Sequence, residues 1–309
     1  MAENWTLPAP LATAEVRMDD GALIIIRRHG NPDGPRIILS HGNGLSADLY
    51  YPFWSLLADR FDVVIYDIRS HGWNPLSDLQ AQNFWTFVSD NVTILSAVDR
   101  HFGEKPKIGI YHSMSALIAI LHAQQYGKFL ESRDDKAGQF SALILFDPPL
   151  KLPRGTFLDM ESMEYKMSSY TLKRRSRFET REEFTRILND KSSFTLLAPG
   201  VTELFARTVL RPCADSAGFE LCCPVEHEAK AWEYFSCWVE YSEIENIACP
   251  VKVIGADPTE KFSFIPSRKL DNIIHVDYDF VPETTHLLIL EKPEECAALT
   301  LEFLDTIGL

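Results

Sequence analysis

The first half of the chain alternates short apolar runs with segments of helical periodicity. The apolar runs are rich in Ile, Val and Leu, as expected of strands buried on both faces. They occupy residues 22–27, 36–40, 63–67, 107–111 and 142–146. Between them, residues 84–102 predict an amphipathic helix, and residues 114–126, apolar nearly all round, predict a buried one. This alternation predicts an α/β fold with a mainly parallel, doubly wound sheet and a ligand site beyond the carboxyl ends of its strands.

The alternation stops after residue 146 and returns about one hundred residues later. In between, helical-looking pieces are separated by Pro and Gly, and no strand run is visible. These pieces are residues 181–188, 201–209 and 224–241. Strands return at residues 250–254 and 272–278, and a closing helix follows around residues 294–307. We therefore predict a core formed by residues 1–147 and 249–309, with a helical lid formed by residues 148–248, because long excursions in compact domains are usually functional.

The charge and composition of the chain limit the classes of partner that it can bind. A chain of 309 residues with 46% apolar residues can bury a large core, and its net charge of −14 disfavours nucleic acid and anionic membrane as main partners. No secretory signal is visible, and no run approaches the ~18 apolar residues of a spanning helix. We therefore expect no nucleic-acid partner and no stable membrane insertion. The oligomeric state stays open.

The pattern of cysteines indicates the cellular compartment, and the absence of metal- and phosphate-binding motifs in the sequence indicates which cofactors to expect. The six cysteines form no C-x-x-C pair, so we interpret them as reduced thiols in a cytoplasmic protein. The sequence has no H-E-x-x-H, no Cys/His pairing at metal-ligand spacing and no phosphate-binding G-x-x-x-x-G-K. We therefore expect no metal and no cofactor.

Residues 107–120, KIGIYHSMSALIAI, carry a serine between a buried strand and an apolar helix. A tight strand-to-helix turn of this kind is the context of a nucleophile elbow, and the helix N-terminus suits an oxyanion. The Y-H-S-M-S segment resembles the G-x-S-x-G pattern of the α/β-hydrolase fold family, with Tyr111 and Ser115 in place of the glycines. The resemblance implies that Ser113 is the nucleophile. We expect Tyr111 to need space that a neighbouring helix normally occupies, or a slightly opened turn.

Further motifs of that family follow in its order along the chain. The segment SHGNG at residues 40–44 resembles the loop that supplies an oxyanion-hole donor. This implies that the backbone N–H groups of Asn43 and Met114 hold the oxyanion, and the Asn43 side-chain amide could assist. The segment DIRSHG at residues 67–72 resembles a scaffolding turn, and PETTHLLILEKP at residues 282–293 resembles the ending that carries the base, here His286.

Two aspartates compete as the acid that orients His286. Asp257 follows the strand at residues 250–254 in a G-x-D sequence, where relatives commonly have G-x-x-D. Asp147 ends the strand at residues 142–146, where a subset of relatives places the acid. Both fit the order Ser, Asp, His. We favour Asp147 slightly, because it needs no adjustment of loop register.

The resemblance implies a serine hydrolase with an inserted lid. We expect it to cleave a carboxylic ester or a lactone through an acyl-enzyme on Ser113, His286 and an aspartate, with a small apolar ester-like substrate. Carbon–carbon bond hydrolysis by the same triad is an alternative. A non-catalytic small-molecule receptor is another, because the elbow glycines are replaced and a fold alone does not settle function. Haloalkane dehalogenation and epoxide opening are disfavoured, because those relatives carry aspartate where this chain has Ser113.

Overall fold

The computed structural model describes residues 5–129, 139–150, 157–215, 217–260 and 277–309. Its strands are short and mostly buried. They are β1 Ala12–Arg17, β2 Leu23–Gly30, β3 Arg36–Ser40, β4 Asp62–Tyr66, β5 Lys107–His112, β6 Ala142–Phe146, β7 Arg177–Phe178, β8 Leu210–Pro212, β9 Phe219–Leu221, β10 Val251–Ala256 and β11 Asp277–Val281.

The main sheet confirms the predicted doubly wound α/β fold. Within the described residues, eight strands form one sheet in the order β1-β2-β4-β3-β5-β6-β10-β11. The pairs β1–β2 and β2–β4 are antiparallel, and the remaining neighbours are parallel. The predicted strands do not include β1, because this edge strand alternates polar and apolar residues and has no continuous apolar run. The predicted strand at residues 272–278 falls largely outside the described residues, which include only its last two positions.

Helices cover both faces of the sheet. They are α1 Tyr51–Trp54, α2 Phe84–Phe102, α3 Met114–Phe129, α4 Phe157–Leu172, α5 Arg181–Asn189, α6 Val201–Thr208, α7 Val225–Lys230, α8 Phe235–Glu240, α9 Leu288–Glu291 and α10 Pro293–Thr306. Alternate strand residues point to opposite faces. On one face they pack against α1, α9 and α10, and on the other against α2 and α3. The sheet is therefore covered by an apolar layer on each face. The carboxyl ends of its strands are left as the place for a ligand site.

The segment between β6 and β10 holds α4 to α8, with helices close to the three predicted pieces. The predicted absence of strands was wrong, because β7, β9 and β8 form a small antiparallel sheet there. These strands have two or three residues each, too few to produce an apolar run. The piece at residues 224–241 is divided into α7 and α8, with Tyr234 in the left-handed region at φ 61° before α8. The division into core and lid stays a prediction.

In the part of the chain that the structure describes, no helix combines the length and the apolar character that crossing a membrane requires.

Candidate active site

Ser113 lies in the sharp turn between β5 and α3. Its backbone has φ 55°, a left-handed conformation that is uncommon for a residue other than glycine. The backbone N–H of Ser113 donates to the Phe146 carbonyl at 3.0 Å, which holds the turn against β6. A strained serine between a buried strand and a helix N-terminus is the geometry of a nucleophile elbow.

Tyr111 and Ser115, the residues in place of the elbow glycines, each fit their surroundings. Tyr111 is 1% exposed, and its ring lies beside Gly109, where a Cβ atom would lie 2.7 Å from the Tyr111 Cε2 atom. The space for the Tyr111 ring therefore comes from a glycine two residues earlier on the same face of β5. The Ser115 hydroxyl accepts from the backbone N–H of His112 and donates to its carbonyl, both at 3.0 Å. Ser115 thus closes the elbow with hydrogen bonds that glycine cannot make.

His286 joins Ser113 to an aspartate. It lies between β11 and α9, and its Nε2 atom is 2.8 Å from the Ser113 Oγ atom. Its Nδ1 atom is 2.5 Å from the Asp147 Oδ2 atom. Because a carboxylate only accepts, Nδ1–H donates to Asp147 and Nε2 accepts a hydrogen bond from the Ser113 hydroxyl. The side chains of Ser113, His286 and Asp147 form a hydrogen-bonded chain, which we call the triad chain.

The two candidate aspartates have different partners. Asp147 is 2% exposed, has φ 39°, and accepts with its other oxygen from the Ala256 N–H at 3.4 Å. The Asp257 Oδ1 atom accepts from the backbone N–H and the hydroxyl of Thr259, at 2.8 and 2.7 Å. Its Oδ2 atom accepts from the Glu283 N–H at 2.8 Å. The Thr259 and Glu283 donors hold the pKa of Asp257 below its usual value. Asp257 thus joins two loops, whereas Asp147 contacts His286.

The loop after β3 runs beside the nucleophile. A Cβ atom on Gly42 would lie 3.1 Å from the Ser113 Cβ atom. Among the described residues, neither the Asn43 N–H nor the Met114 N–H has a hydrogen-bond acceptor. Both backbone donors therefore remain available to an oxyanion. The Asn43 Nδ2 atom donates to the Glu228 carbonyl at 2.9 Å, which uses one of its two N–H groups, so the assistance of this side chain stays a prediction.

Glu228 of α7 covers this loop from the inserted segment. Gly44 has φ 74°, and a Cβ atom there would lie 2.7 Å from the Glu228 carboxyl carbon. Burial raises the pKa of Glu228, and its ion pair with Arg174 opposes that rise. On the other side of the loop, the Gly44 N–H donates to the His71 Nε2 atom at 3.1 Å. The loop is held between the core and α7, a contact that no local sequence signal reveals.

Other ionisable side chains near the turn hold the loops in place through hydrogen bonds. His41 is fully buried, accepts from the Ile68 N–H at 3.1 Å and donates from Nδ1 to the Gly42 carbonyl at 2.8 Å. Burial lowers its pKa, which favours the neutral ring. Asp67 accepts from Arg27 at 2.7 Å and from the Ala47 N–H at 2.8 Å. Within the described residues, no group of three or more His, Cys, Asp or Glu side chains has the arrangement of a metal site.

A family model agrees with this geometry. The model of the alpha/beta hydrolase family matches residues 37–299, a range that includes the elbow, both aspartates and His286. The chain belongs to the alpha/beta hydrolase family, as its motifs predict.

Solved structures share the fold over nearly the whole chain. E-2-(acetamidomethylene)succinate hydrolase superposes with a TM-score of 0.72 and 16% identity, covering 95% of this chain and 100% of that one. A thioesterase domain from the curacin biosynthetic pathway superposes with a TM-score of 0.68 and 17% identity, covering 94% of this chain and 99% of that one. At these identities the likeness shows the fold alone.

A curated relative matches a short segment. The probable oxidoreductase EphD of Mycobacterium tuberculosis is 45% identical over 53 residues, which are 17% of this chain and 9% of that protein. The chain thus matches less than a tenth of that relative's length.

Proposed function

We propose that this protein is a serine hydrolase that cleaves a carboxylic ester or a lactone through an acyl-enzyme. The observation that supports this proposal most strongly is the triad chain of Ser113, His286 and Asp147 at a strained elbow. The N–H groups of Asn43 and Met114 stand beside it as the proposed oxyanion donors.

In the proposed mechanism, the Ser113 Oγ atom attacks the carbonyl carbon while its proton passes to the His286 Nε2 atom. Asp147 accepts from Nδ1–H and stabilises the imidazolium that forms. The carbonyl oxygen becomes an oxyanion and accepts from the two backbone N–H groups; removal of one such donor typically costs ~10²–10³ in rate. His286 then protonates the leaving alkoxide as the carbon–oxygen bond breaks. A water molecule, deprotonated by His286, releases the acid and restores Ser113.

The surroundings of the elbow support a small apolar substrate. Met114, directly after the nucleophile, packs in one buried cluster with Phe84 of α2 and Phe235 of α8. The residue after the nucleophile therefore stands in an apolar environment, and small-molecule sites are lined predominantly by apolar side chains. The fold relatives include a hydrolase and a thioesterase domain, so acyl transfer has precedent on this fold.

A fluorophosphonate probe, which labels activated serines, tests the proposal first. We expect stoichiometric labelling of the wild-type protein, loss of labelling in Ser113→Ala, and normal labelling in Ser89→Ala, which changes an exposed serine of α2. A folded wild-type protein that takes no label would favour the receptor alternative.

A p-nitrophenyl ester chain-length series beside a lactone panel then tests the reaction class. We expect turnover that Ser113→Ala lowers by at least ~10³-fold. Product analysis of vinylogous diketones separates carbon–carbon bond hydrolysis from ester hydrolysis. Labelling at Ser113 with cleavage of the diketones and no cleavage of esters would contradict the ester assignment.

A further inference from the structure

His112, the residue before Ser113, joins three parts of the site. Its Nε2 atom is 2.8 Å from the backbone carbonyl of His286, and its Nδ1 atom is 2.6 Å from the Tyr50 hydroxyl. The Tyr50 oxygen is in turn 3.2 Å from the Gly42 N–H. These contacts connect the elbow, the His286 loop and the loop that carries Asn43.

The direction of each hydrogen bond follows from its partners. The His286 carbonyl can only accept, so His112 Nε2 carries the proton and donates. In the neutral ring Nδ1 is then an acceptor, and the Tyr50 hydroxyl donates to it. The Tyr50 oxygen accepts from the Gly42 N–H. Burial lowers the pKa of His112 well below its usual value and raises that of Tyr50, so both side chains stay neutral.

The surroundings leave this arrangement little freedom. His112 is 1% exposed, and Tyr50 is fully buried. A Cβ atom on Gly42 would lie 3.1 Å from the His112 Nδ1 atom, so the loop backbone rests against the imidazole. The centroids of the His112 and His286 rings lie 4.8 Å apart. Movement of His112 would therefore displace both loops relative to Ser113.

We propose that His112 and Tyr50 are positioning residues, which set the backbone of His286 and that of Gly42, directly before the Asn43 N–H, at fixed distances from Ser113. The proposal rests on the proposed hydrolase function of this site. Neither side chain exchanges a proton with substrate. Their role is to place the base and one oxyanion donor, where a displacement of about 1 Å can cost ~10²-fold in rate.

Tyr50→Phe tests the proposal, because it removes one oxygen and keeps the ring. We expect kcat for p-nitrophenyl butyrate to fall by about 10- to 100-fold, with KM within about threefold of wild type. The matched control is Tyr66→Phe. Tyr66 is also buried and donates to the Asn91 Oδ1 atom at 2.6 Å, but it packs on the opposite face of the sheet. A loss in Tyr50→Phe no larger than in Tyr66→Phe would overturn the proposal.

A double variant tests whether the two side chains act as one unit. His112→Gln keeps an N–H that can reach the His286 carbonyl but offers Tyr50 a poorer acceptor. Because the two share one bridge, we expect Tyr50→Phe combined with His112→Gln to lose less than the product of the two single losses. Fully multiplicative losses would contradict a shared bridge.

The tautomer of His112 supplies a test that needs no substrate. The nitrogen chemical shifts of its ring should report a neutral imidazole protonated at Nε2 in the wild-type protein, with a changed Nδ1 shift in Tyr50→Phe. Protonation at Nδ1 would overturn the proposal. If no ester is cleaved and Ser113 takes no label, the proposed function fails, while the tautomer still tests the bridge.

Discussion

The ends of β6 and β10 each carry an aspartate, and the two have different surroundings. Asp147 comes directly after β6, in a left-handed conformation, with its Oδ2 atom against His286. Asp257 comes directly after β10, with both oxygens bonded to the loops that follow β10 and β11. Of these two carboxylates, Asp147 bonds to the imidazole and to the Ala256 N–H, whereas Asp257 bonds to donors of two loops.

Sheet register explains the difference. His112 of β5, Phe146 of β6 and Ile254 of β10 lie side by side in the sheet. Ser113 and Asp147 therefore leave the sheet at the same level, whereas β10 continues through Gly255 and Ala256 before Asp257. An acid that is level with the nucleophile can reach the imidazole between them. Strand register, more than spacing along the chain, therefore selects the partner of the histidine.

Asp147→Asn is the substitution that should distinguish the two aspartates most strongly. We expect kcat to fall by up to ~10⁴-fold, because the amide favours the wrong tautomer of His286 while the shape of the side chain is kept. The measurement is steady-state turnover of the best p-nitrophenyl ester, with circular dichroism to check folding. A folded variant with less than a tenfold loss would place the acid elsewhere.

Asp257→Asn should have a much smaller effect on kcat and a clear effect on stability. We expect less than about a tenfold loss of kcat, because the Asp257 side chain binds the Glu283 N–H of the His286 loop, whereas Asp147 binds the imidazole itself. Asparagine has one acceptor oxygen where Asp257 uses two, so one donor is left unpaired, and the free energy of unfolding should fall by about 1–2 kcal/mol. Urea denaturation measures it. A loss of kcat equal to that of Asp147→Asn would reverse the assignment of the acid.

The pH dependence of that stability difference follows from the lowered pKa of Asp257. The unfolded chain has a carboxyl pKa of about 3.9, and the folded value is lower, so the folded state favours the ionised form. The contribution is therefore complete above pH ~4 and is lost as the pH falls through the folded pKa. We expect the gap between wild type and Asp257→Asn to be constant from neutral pH down to about 5 and to shrink below 4. A gap that widens with acid would contradict this role.

The fold, and the placement of Ser113 beside His286, could be predicted because their signals are local. A buried strand followed by serine and an apolar helix is visible within fourteen residues, and the motif around His286 is equally short. The accommodation of Tyr111 also had a local signal, since Gly109 stands two positions earlier on the same strand face. The features that depend on neighbouring residues along the chain could therefore be predicted from the sequence.

The choice of acid and the bracing contacts depend on distant pairing. Asp147 and Asp257 could not be separated without the register of three strands. Glu228 reaches the Asn43 loop from 185 residues away, and Tyr50 reaches His112 across 62. Neither contact leaves a periodic or motif signal. The strands of the inserted segment were missed for a different reason, since each has only two or three residues, too few for an apolar run.

The smallest expected effect belongs to Thr259→Val, which separates the loop role of Asp257 from any role in catalysis. The substitution removes the hydroxyl that donates to Asp257 Oδ1 at 2.7 Å and keeps the backbone donor of the same residue. We expect the free energy of unfolding to fall by about 0.5–1 kcal/mol and kcat to stay within about twofold, because Oδ1 retains one hydrogen bond and His286 is not touched. Thr195→Val, at an exposed position of the inserted segment, is the matched control. If Thr259→Val lowered kcat tenfold while the control did not, Asp257 would influence His286 through more than its loop, and the contrast between the two strand ends would have to be redrawn.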